Sequence, residues 1–364
     1  MKRAGRTLKT LVTGRLVLTF DRVDFVYERL SRRRRWNWLK TELSFLVRSD
    51  RAWAWPTHLQ VEPTNVCNLQ CPVCHVVTDD KPRGMLRFDD FTRLMDEVGD
   101  YLLFLHFWGW GEPFMNEDFF SMIRYARDRG IKIITSTNGH FFEKGDNIER
   151  LIDSGLEVLI MALDGVDRET YEKYRREGDF DKVVRGLKLF MKRREERGSL
   201  LPRLNLRMLV TRDNEDQVPA MRELARELGV DMLTLKTLCS FDDEERGSQL
   251  VPRNPEFRRF EYSADGSPLR IDNPCKKLWN HPTVYRDGVV VPCDYHTGRE
   301  INLGSAFGDG QRGFGPVWFG EEFSELRSQF VRGERAGLRC DDCSLNFADV
   351  DRCVSHAFRL SAPE

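Results

Sequence analysis

Nowhere in these 364 residues do eighteen uncharged apolar residues run together, which excludes a membrane-spanning helix. The N-terminus is basic but lacks an apolar core and a small-residue cleavage site, so it does not read as a secretory signal. Net charge is almost absent, at −1 from 57 basic and 58 acidic side chains. Nothing in the chain reads as a nucleic-acid module. Cysteine, by contrast, is plentiful. Nine are present, in tight groups and with no export signal, which points to a reducing cytoplasm and metal ligation rather than disulfides. A composition 40% hydrophobic and 32% charged suits a soluble globular protein with room for one large domain and a smaller one.

The near-zero charge hides an asymmetry. Residues 1–55 carry +9, leaving −10 for the rest. Residues 4–48 read as amphipathic helices, with Leu8, Leu11, Val12 and Leu16, then Val23, Val26, Tyr27 and Leu30, at helical spacing. Arg32–Arg35 is followed by Trp36, Trp38, Leu39, Leu43, Phe45 and Leu46. Such a segment can seat at an anionic membrane surface, or it can be a helical pair packed on the main domain with a solvated Arg run. Residues 1–55 are therefore taken as basic N-terminal helices of a cytoplasmic, membrane-peripheral or free protein.

From residue 57 strands and helices alternate. Strand-like runs fall at 58–62, 102–108, 131–136, 157–163, 203–210 and 231–238, with helical stretches at 89–99, 117–129, 147–154, 168–198 (broken near Gly178) and 215–228. Six β/α units argue for a parallel sheet, and a partial (β/α)6 TIM barrel would carry its chemistry at the C-terminal strand ends. At the end of the first strand stands Cys67-Asn68-Leu69-Gln70-Cys71-Pro72-Val73-Cys74. Three thiols spaced C-x3-C-x2-C can hold one face of a [4Fe–4S] cluster and leave one iron open. Zinc held by these thiols and His75 is the plainer alternative, but zinc sites usually pair short-spaced ligands with a distant second pair.

This loop, at the end of a first strand, resembles that of the radical S-adenosylmethionine (radical SAM) family, apart from Val73 where an aromatic residue is common. Later strand ends extend the resemblance over residues 58–238. Gly109-Trp110-Gly111-Glu112-Pro113 resembles the segment that receives the SAM amino group. Ser136-Thr137-Asn138-Gly139 resembles the ribose-contacting strand end. Ala162-Leu163-Asp164-Gly165 resembles a motif whose Asp164 faces the ribose, and Val210–Asn214 ends the strand where adenine packs. The resemblance implies that Gly111, Glu112, Pro113, Ser136, Asn138 and Asp164 bind SAM while Cys67, Cys71 and Cys74 hold the cluster. It also implies reductive cleavage to a 5′-deoxyadenosyl radical, with electrons from a flavodoxin- or ferredoxin-type partner.

Beyond residue 238, periodicity is lost through a linker or lid at 239–274, which includes Asp242-Asp243-Glu244-Glu245. A cysteine-rich domain over 275–364 follows. Cys275, twelve residues, Gly288, four residues and Cys293 bracket a hairpin signal, Asp287-Gly288. A helix at 322–332 and then Cys340-Asp341-Asp342-Cys343 follow, with Cys353 beyond. This arrangement resembles the auxiliary-cluster extension of radical SAM enzymes, the SPASM type in its shorter "twitch" form, since the C-x5-C-x3-C continuation is missing. The resemblance implies one auxiliary [4Fe–4S] cluster on Cys275, Cys293, Cys340 and Cys343, with Cys353 a spare thiol or an alternate ligand. A four-thiolate zinc knot is the plainer alternative.

The implied function is oxidation or epimerisation of a hydroxylated small molecule or a sugar- or lipid-linked substrate. A peptide maturase and a zinc-bound, non-catalytic binding protein are the alternatives. Cys239, at the end of the sixth strand, is either a hydrogen donor at the substrate rim, which an epimerase needs, or a buried packing residue.

Overall fold

The computed structural model describes residues 10–78, 81–239, 249–263, 267–271, 275–296, 298–308, 313–334, 340–341, 343–348 and 350–360. Leu8 and the acidic run Asp242–Glu245 lie outside them.

The first elements correct the N-terminal reading. Residues 16–27 form a hairpin of β1 (Leu16–Phe20) and β2 (Val23–Tyr27), paired antiparallel, and not helix. Val23, Phe25 and Tyr27 are buried while Val26 is exposed, a period of two that the short helical spacing masked. Asp21 and Arg22 both adopt left-handed φ, 48° and 63°, as a tight two-residue hairpin turn requires. A helix follows as α1 (Arg32–Leu46), capped by Ser31, whose side chain accepts from the Arg34 N–H.

The Arg run is not simply solvated. Arg34 donates to the carbonyls of Gly99, Gly130 and Arg129 at 2.8, 3.0 and 2.5 Å, meeting two helix C-termini where carbonyls lack partners. Arg35 donates to Leu30 and Leu11 carbonyls at 3.0 and 2.9 Å, and Arg33 pairs with Asp100. The guanidinium groups that were to face lipid thus fasten the N-terminus to the main domain. Among the described residues no helix is long and apolar enough to cross a membrane.

The main body follows the expected alternation closely. Six parallel strands, β3 (His58–Val61), β4 (Phe104–His106), β5 (Lys132–Thr137), β6 (Val158–Ala162), β7 (Arg203–Val210) and β8 (Met232–Thr237), lie in chain order. Between them run α2 (Phe88–Val98), α3 (Phe119–Asp128), α4 (Asn147–Asp153), α5 (Arg168–Tyr174), α6 (Phe180–Glu196) and α7 (Val218–Glu227). α2 buries Phe91, Leu94, Met95 and Val98, one stripe at i, i+3, i+4 and i+7. The break near Gly178 separates α5 from α6, each restarted by an aspartate cap, Asp167 accepting from Thr170 N–H and Asp179 from Lys182 N–H. Along β7, Leu204, Leu206, Met208 and Val210 face the helix layer, which leaves Arg203, Asn205 and Arg207 on the inner face.

The C-terminal region is not a separate appendage. Its hairpin, β9 (Thr283–Val284) and β10 (Val290–Val291), extends the sheet because β9 pairs parallel with β3, Gln60 opposite Thr283. After α8 (Glu321–Arg332) the chain crosses to the far edge, where β11 (Val354–Arg359) runs antiparallel to β8. The result is one nine-stranded sheet, β10-β9-β3-β4-β5-β6-β7-β8-β11, curled as a partial barrel. The β1–β2 hairpin fills its inner face, with Leu16, Val23, Phe25 and Tyr27 packed against Phe104, Ile134, Val158, Ile160 and Met232.

Candidate functional site

The cysteine loop leaves β3 at its C-terminal end and is held by backbone contacts. Glu112 N–H donates to the Val66 carbonyl at 2.8 Å, and Thr64 Oγ1 accepts from Val66 N–H at 2.9 Å. A Cβ on Gly111 would stand 2.4 Å from the Thr64 oxygen and 2.7 Å from that of Val66, and one on Gly109 would strike Glu62 at 2.5 Å. Only glycine allows the β4 loop to press on the β3 loop in this way. Burial pushes the Cys67 thiol up to about 12 and Cys74 up to about 11. Three half-buried or buried thiols with little hydrogen bonding are a soft donor set that a cationic iron centre would convert to thiolates. The residues present therefore fit the group the sequence implies. His75 packs edge-on against Trp110, ring centroids 4.2 Å apart.

Around this loop the structure brings together most of the expected cofactor residues. Glu112 is 2% exposed. Its Oε1 accepts from Thr137 Oγ1 at 2.8 Å and Phe114 N–H at 3.1 Å, and its Oε2 accepts from Asn138 N–H at 2.7 Å. Burial raises its pKa to about 7 against these donors. Pro113 opens the short turn Pro113–Met115. Asn138 reaches the loop itself, its amide donating to Asn68 Oδ1 at 2.8 Å. Ser136 is half-buried, on the same face of β5 as Ile134.

Asp164 is placed differently from an open ribose ligand. Its side chain is fully buried, one oxygen accepting from Leu209 N–H at 2.6 Å and the other paired with Arg175 Nε at 2.5 Å. Arg175 in turn donates to Cys71 Sγ at 3.6 Å. This arginine, just past the end of α5, is a neighbour of the cysteine loop that the sequence reading missed, and no local periodicity marks it. Its Asp164 pairing joins the β6 loop to the cysteine loop.

The second cysteine group is assembled from distant pieces. Cys293 is pushed well above its ordinary value by burial, with Asp294, Cys275 and Cys343 adding negative potential and Lys277 opposing. Cys343 is raised to about 11 by burial, again with Cys275 nearby. Lys277 Nζ holds Asp294 at 2.6 Å. The Cys340–Asp341 turn is held by Asn346, whose amide donates to the Cys340 and Asp341 carbonyls at 2.7 and 2.8 Å. Cys353 has partners of its own. Its sulfur accepts from Arg259 Nη1 at 2.8 Å and lies 3.8 Å from the Tyr295 hydroxyl. Cys239 is exposed, so it is not the buried packing residue of the plainer reading. Within the expected linker or lid, Arg253 and Asn254 are tied to the barrel, their N–H groups donating to Glu215 at 3.0 and 2.8 Å.

Comparison with known proteins follows this geometry. Residues 61–225 match the model of the radical SAM superfamily, and residues 275–344 that of an iron-sulfur cluster-binding domain, SPASM. A tungsten-containing aldehyde ferredoxin oxidoreductase cofactor-modifying protein of Pyrococcus furiosus is 26% identical over 318 residues, 80% of this chain and 88% of that one. An Fe-coproporphyrin III synthase of Methanosarcina barkeri is 30% identical over 264 residues, 68% of this chain and 63% of that one. In fold, the chain is similar to Streptococcus suis SuiB bound to its precursor peptide SuiA, with a TM-score of 0.56 at 15% identity over 81% of this chain and 71% of that one. The same holds for anSMEcpe with bound AdoMet, with a TM-score of 0.51 at 17% identity over 74% and 82%. With the barrel matched by one model and the cysteine-bearing extension by the other, this chain belongs to the radical SAM superfamily and carries the C-terminal iron–sulfur extension of that family.

Proposed function

We propose that the chain oxidises or epimerises a small molecule, hydroxylated or sugar- or lipid-linked, using Cys67, Cys71 and Cys74 for the SAM-binding cluster and Cys275, Cys293, Cys340 and Cys343 for the auxiliary one. The observation that carries this reading is the pairing of β9 with β3, because the strand that bears the first cysteine loop is hydrogen-bonded to the hairpin that bears Cys293. A second redox centre held on the same sheet suits removal of an electron from substrate after hydrogen abstraction. The names of two relatives, a cofactor-modifying protein and a coproporphyrin synthase, support a small-molecule substrate.

When bound, the first cluster would supply the electron that splits SAM. The chain's own residues do the rest. Gly109 and Gly111 let the β4 loop press on the β3 loop that carries the thiols, and ionised Glu112 offers negative charge to the SAM ammonium. Asn138 and Ser136 offer polar groups to the ribose. Arg175 carries positive charge to the cysteine loop, and its release from Asp164 would free that carboxylate for a hydroxyl. A flavodoxin- or ferredoxin-type protein would deliver the electron.

Oxidation and epimerisation separate at Cys239. Anaerobic turnover of candidate small molecules in deuterated water, with wild type and Cys239→Ala, is the test. Solvent deuterium in the product skeleton, lost in the variant while 5′-deoxyadenosine still forms, identifies an epimerase with Cys239 as donor. Product formed equally by both proteins, without deuterium, identifies an oxidase. A wild type that forms no 5′-deoxyadenosine with any reductant defeats the reading.

A further inference from the structure

The inner face of β7 and β8 carries cations that neither cluster uses. Arg207 lies on β7, and Lys236 on β8 is two residues nearer the C-terminal end than Arg207's strand neighbour Thr234. Arg259, 3% exposed, comes from the stretch after β8. Two acidic groups meet them. One is Asp21, carried into the barrel on the tip of the β1–β2 hairpin and 2.7 Å from Arg207 Nη1. The other is Cys353, 2.8 Å from Arg259 Nη1.

We propose that Arg207, Lys236 and Arg259 form a subsite for an anionic group of the substrate, a carboxylate or a phosphate, and that Asp21 occupies part of it in the absence of substrate. This rests on the preceding reading that the barrel binds a small molecule.

The hydrogen bonding is incomplete on the cationic side. Arg207 spends Nη1 on Asp21 and Nε on Thr234 Oγ1 at 3.1 Å, yet its Nη2 is buried with no partner among the described residues. Arg259 spends Nη1 on Cys353 and Nη2 on the Tyr295 hydroxyl at 3.2 Å, and its Nε is likewise buried without a partner. Buried donors left unpaired are costly, so these two mark an unmet demand for an acceptor. The local potential agrees. Burial alone would raise Asp21, but Arg207, Lys236 and Arg259 hold it below the usual carboxylate range. Burial would raise Cys353 too, but Lys236 and Arg259 bring it below its ordinary value. Positive charge therefore remains after both internal anions are counted.

Position and chemistry fit as well. β8 leads from Lys236 through Leu238 to the exposed Cys239, so the cations lie below the rim where substrate would enter. The wall β7–β8 is separated in the sheet from β3, the strand of the cysteine loop, by three strands. An anion fixed there would leave the remainder of a small molecule to extend toward the proposed SAM site. Arginine supplies forked donors suited to carboxylate and phosphate, and lysine a mobile point charge.

The test uses the iron-loaded full chain with inorganic phosphate and glutarate as probes, titrated calorimetrically at low ionic strength against wild type, Lys236→Met and Asp21→Asn. Wild type is expected to bind at least one probe. Lys236→Met should weaken that binding about tenfold, the scale of one charge-assisted hydrogen bond, and Asp21→Asn should tighten it by a similar factor by removing the internal competitor. Phosphate binding alone points to a phosphorylated substrate, glutarate binding alone to a carboxylate. Iron content and melting temperature report whether each variant is intact, and if Lys236→Met does not fold, Asp21→Asn decides. Binding of neither probe to wild type, or affinities unchanged in the intact variants, overturns the subsite. Formation of 5′-deoxyadenosine by the same wild-type sample is read separately, so failure of SAM chemistry and failure of the anion site are distinguishable.

Discussion

The two cysteine groups are built in opposite ways. Cys67, Cys71 and Cys74 come from one eight-residue loop set by a single strand end and pinned by the close approach of Gly111 to Thr64 and Val66. Cys275, Cys293, Cys340 and Cys343 come from a 69-residue stretch interrupted by a hairpin and α8, and burial raises Cys293 and Cys343 with Cys275 beside both. The charges beside them differ too. The first group has Glu112 and the Asp164–Arg175 pair, the second the Lys277–Asp294 pair. A contiguous loop with three thiols leaves room for a ligand. Thiols drawn from distant segments, with the Lys277–Asp294 pair beside Cys293, suit an electron centre held away from the chemistry.

The largest expected effect follows from separating the two. The anaerobic protein should hold about eight iron, four per cluster. Replacing Cys67, Cys71 and Cys74 with Ala should halve the iron and abolish 5′-deoxyadenosine formation. Replacing Cys293 and Cys343 should remove the other half and leave SAM cleavage measurable. Equal loss of cleavage from both sets, read by iron assay and chromatography, would erase the distinction.

Gly111→Ala should act on the first group alone. Its Cβ would meet two carbonyl oxygens at 2.4 and 2.7 Å, costing about 1–3 kcal/mol as the β4 loop shifts. Iron should fall toward the auxiliary complement, while the second group's absorption remains. Thermal melting and iron content check this.

Glu112 gives a pH signature that the second group lacks. Its folded pKa is raised to about 7 by burial, so below that value it carries a proton and no charge for an ammonium. SAM affinity in the iron-loaded wild type should weaken as pH falls from 8 to 6. The decline should flatten in Glu112→Gln, which keeps its iron but binds SAM less well at pH 8. A parallel pH profile in both proteins would remove Glu112 from the ligand site.

Asn346→Ala should have the smallest effect, freeing the Cys340–Asp341 turn at a cost of about 1–2 kcal/mol for two hydrogen bonds. Partial loss of auxiliary iron is expected, with SAM cleavage retained. Cys353→Ala, its counterpart outside the set, should change iron content not at all, since its sulfur is held by Arg259. Lost iron in that variant would make it a ligand.

The β/α order and the first cysteine loop were legible because their signals are local. Helix stripes repeat within a few residues, and the three cysteines, Gly111 and Glu112 lie at ends of successive strands. The misreading at 16–27 has a local cause as well. Val23, Val26, Tyr27 and Leu30 satisfy helical spacing by coincidence, whereas the turn at Asp21-Arg22 puts arginine, which seldom takes left-handed φ, where glycine would have announced a hairpin. The alternating Arg203, Asn205 and Arg207 of β7 were a visible sign of a polar inner face.

By itself the sequence determined the barrel's order of elements, the three-thiol loop and the ingredients of a second site, since each depends on residues near one another in the chain. Only the tertiary structure decided which distant groups meet. Arg34 meets helix ends near residues 99 and 130; Arg175 bridges Asp164 and Cys71; β9 joins β3 across more than two hundred residues; and Asp21 reaches Arg207 inside the barrel. Pairings of this kind depend on where the packed sheet turns its inner face, and periodicity along the chain holds no record of that.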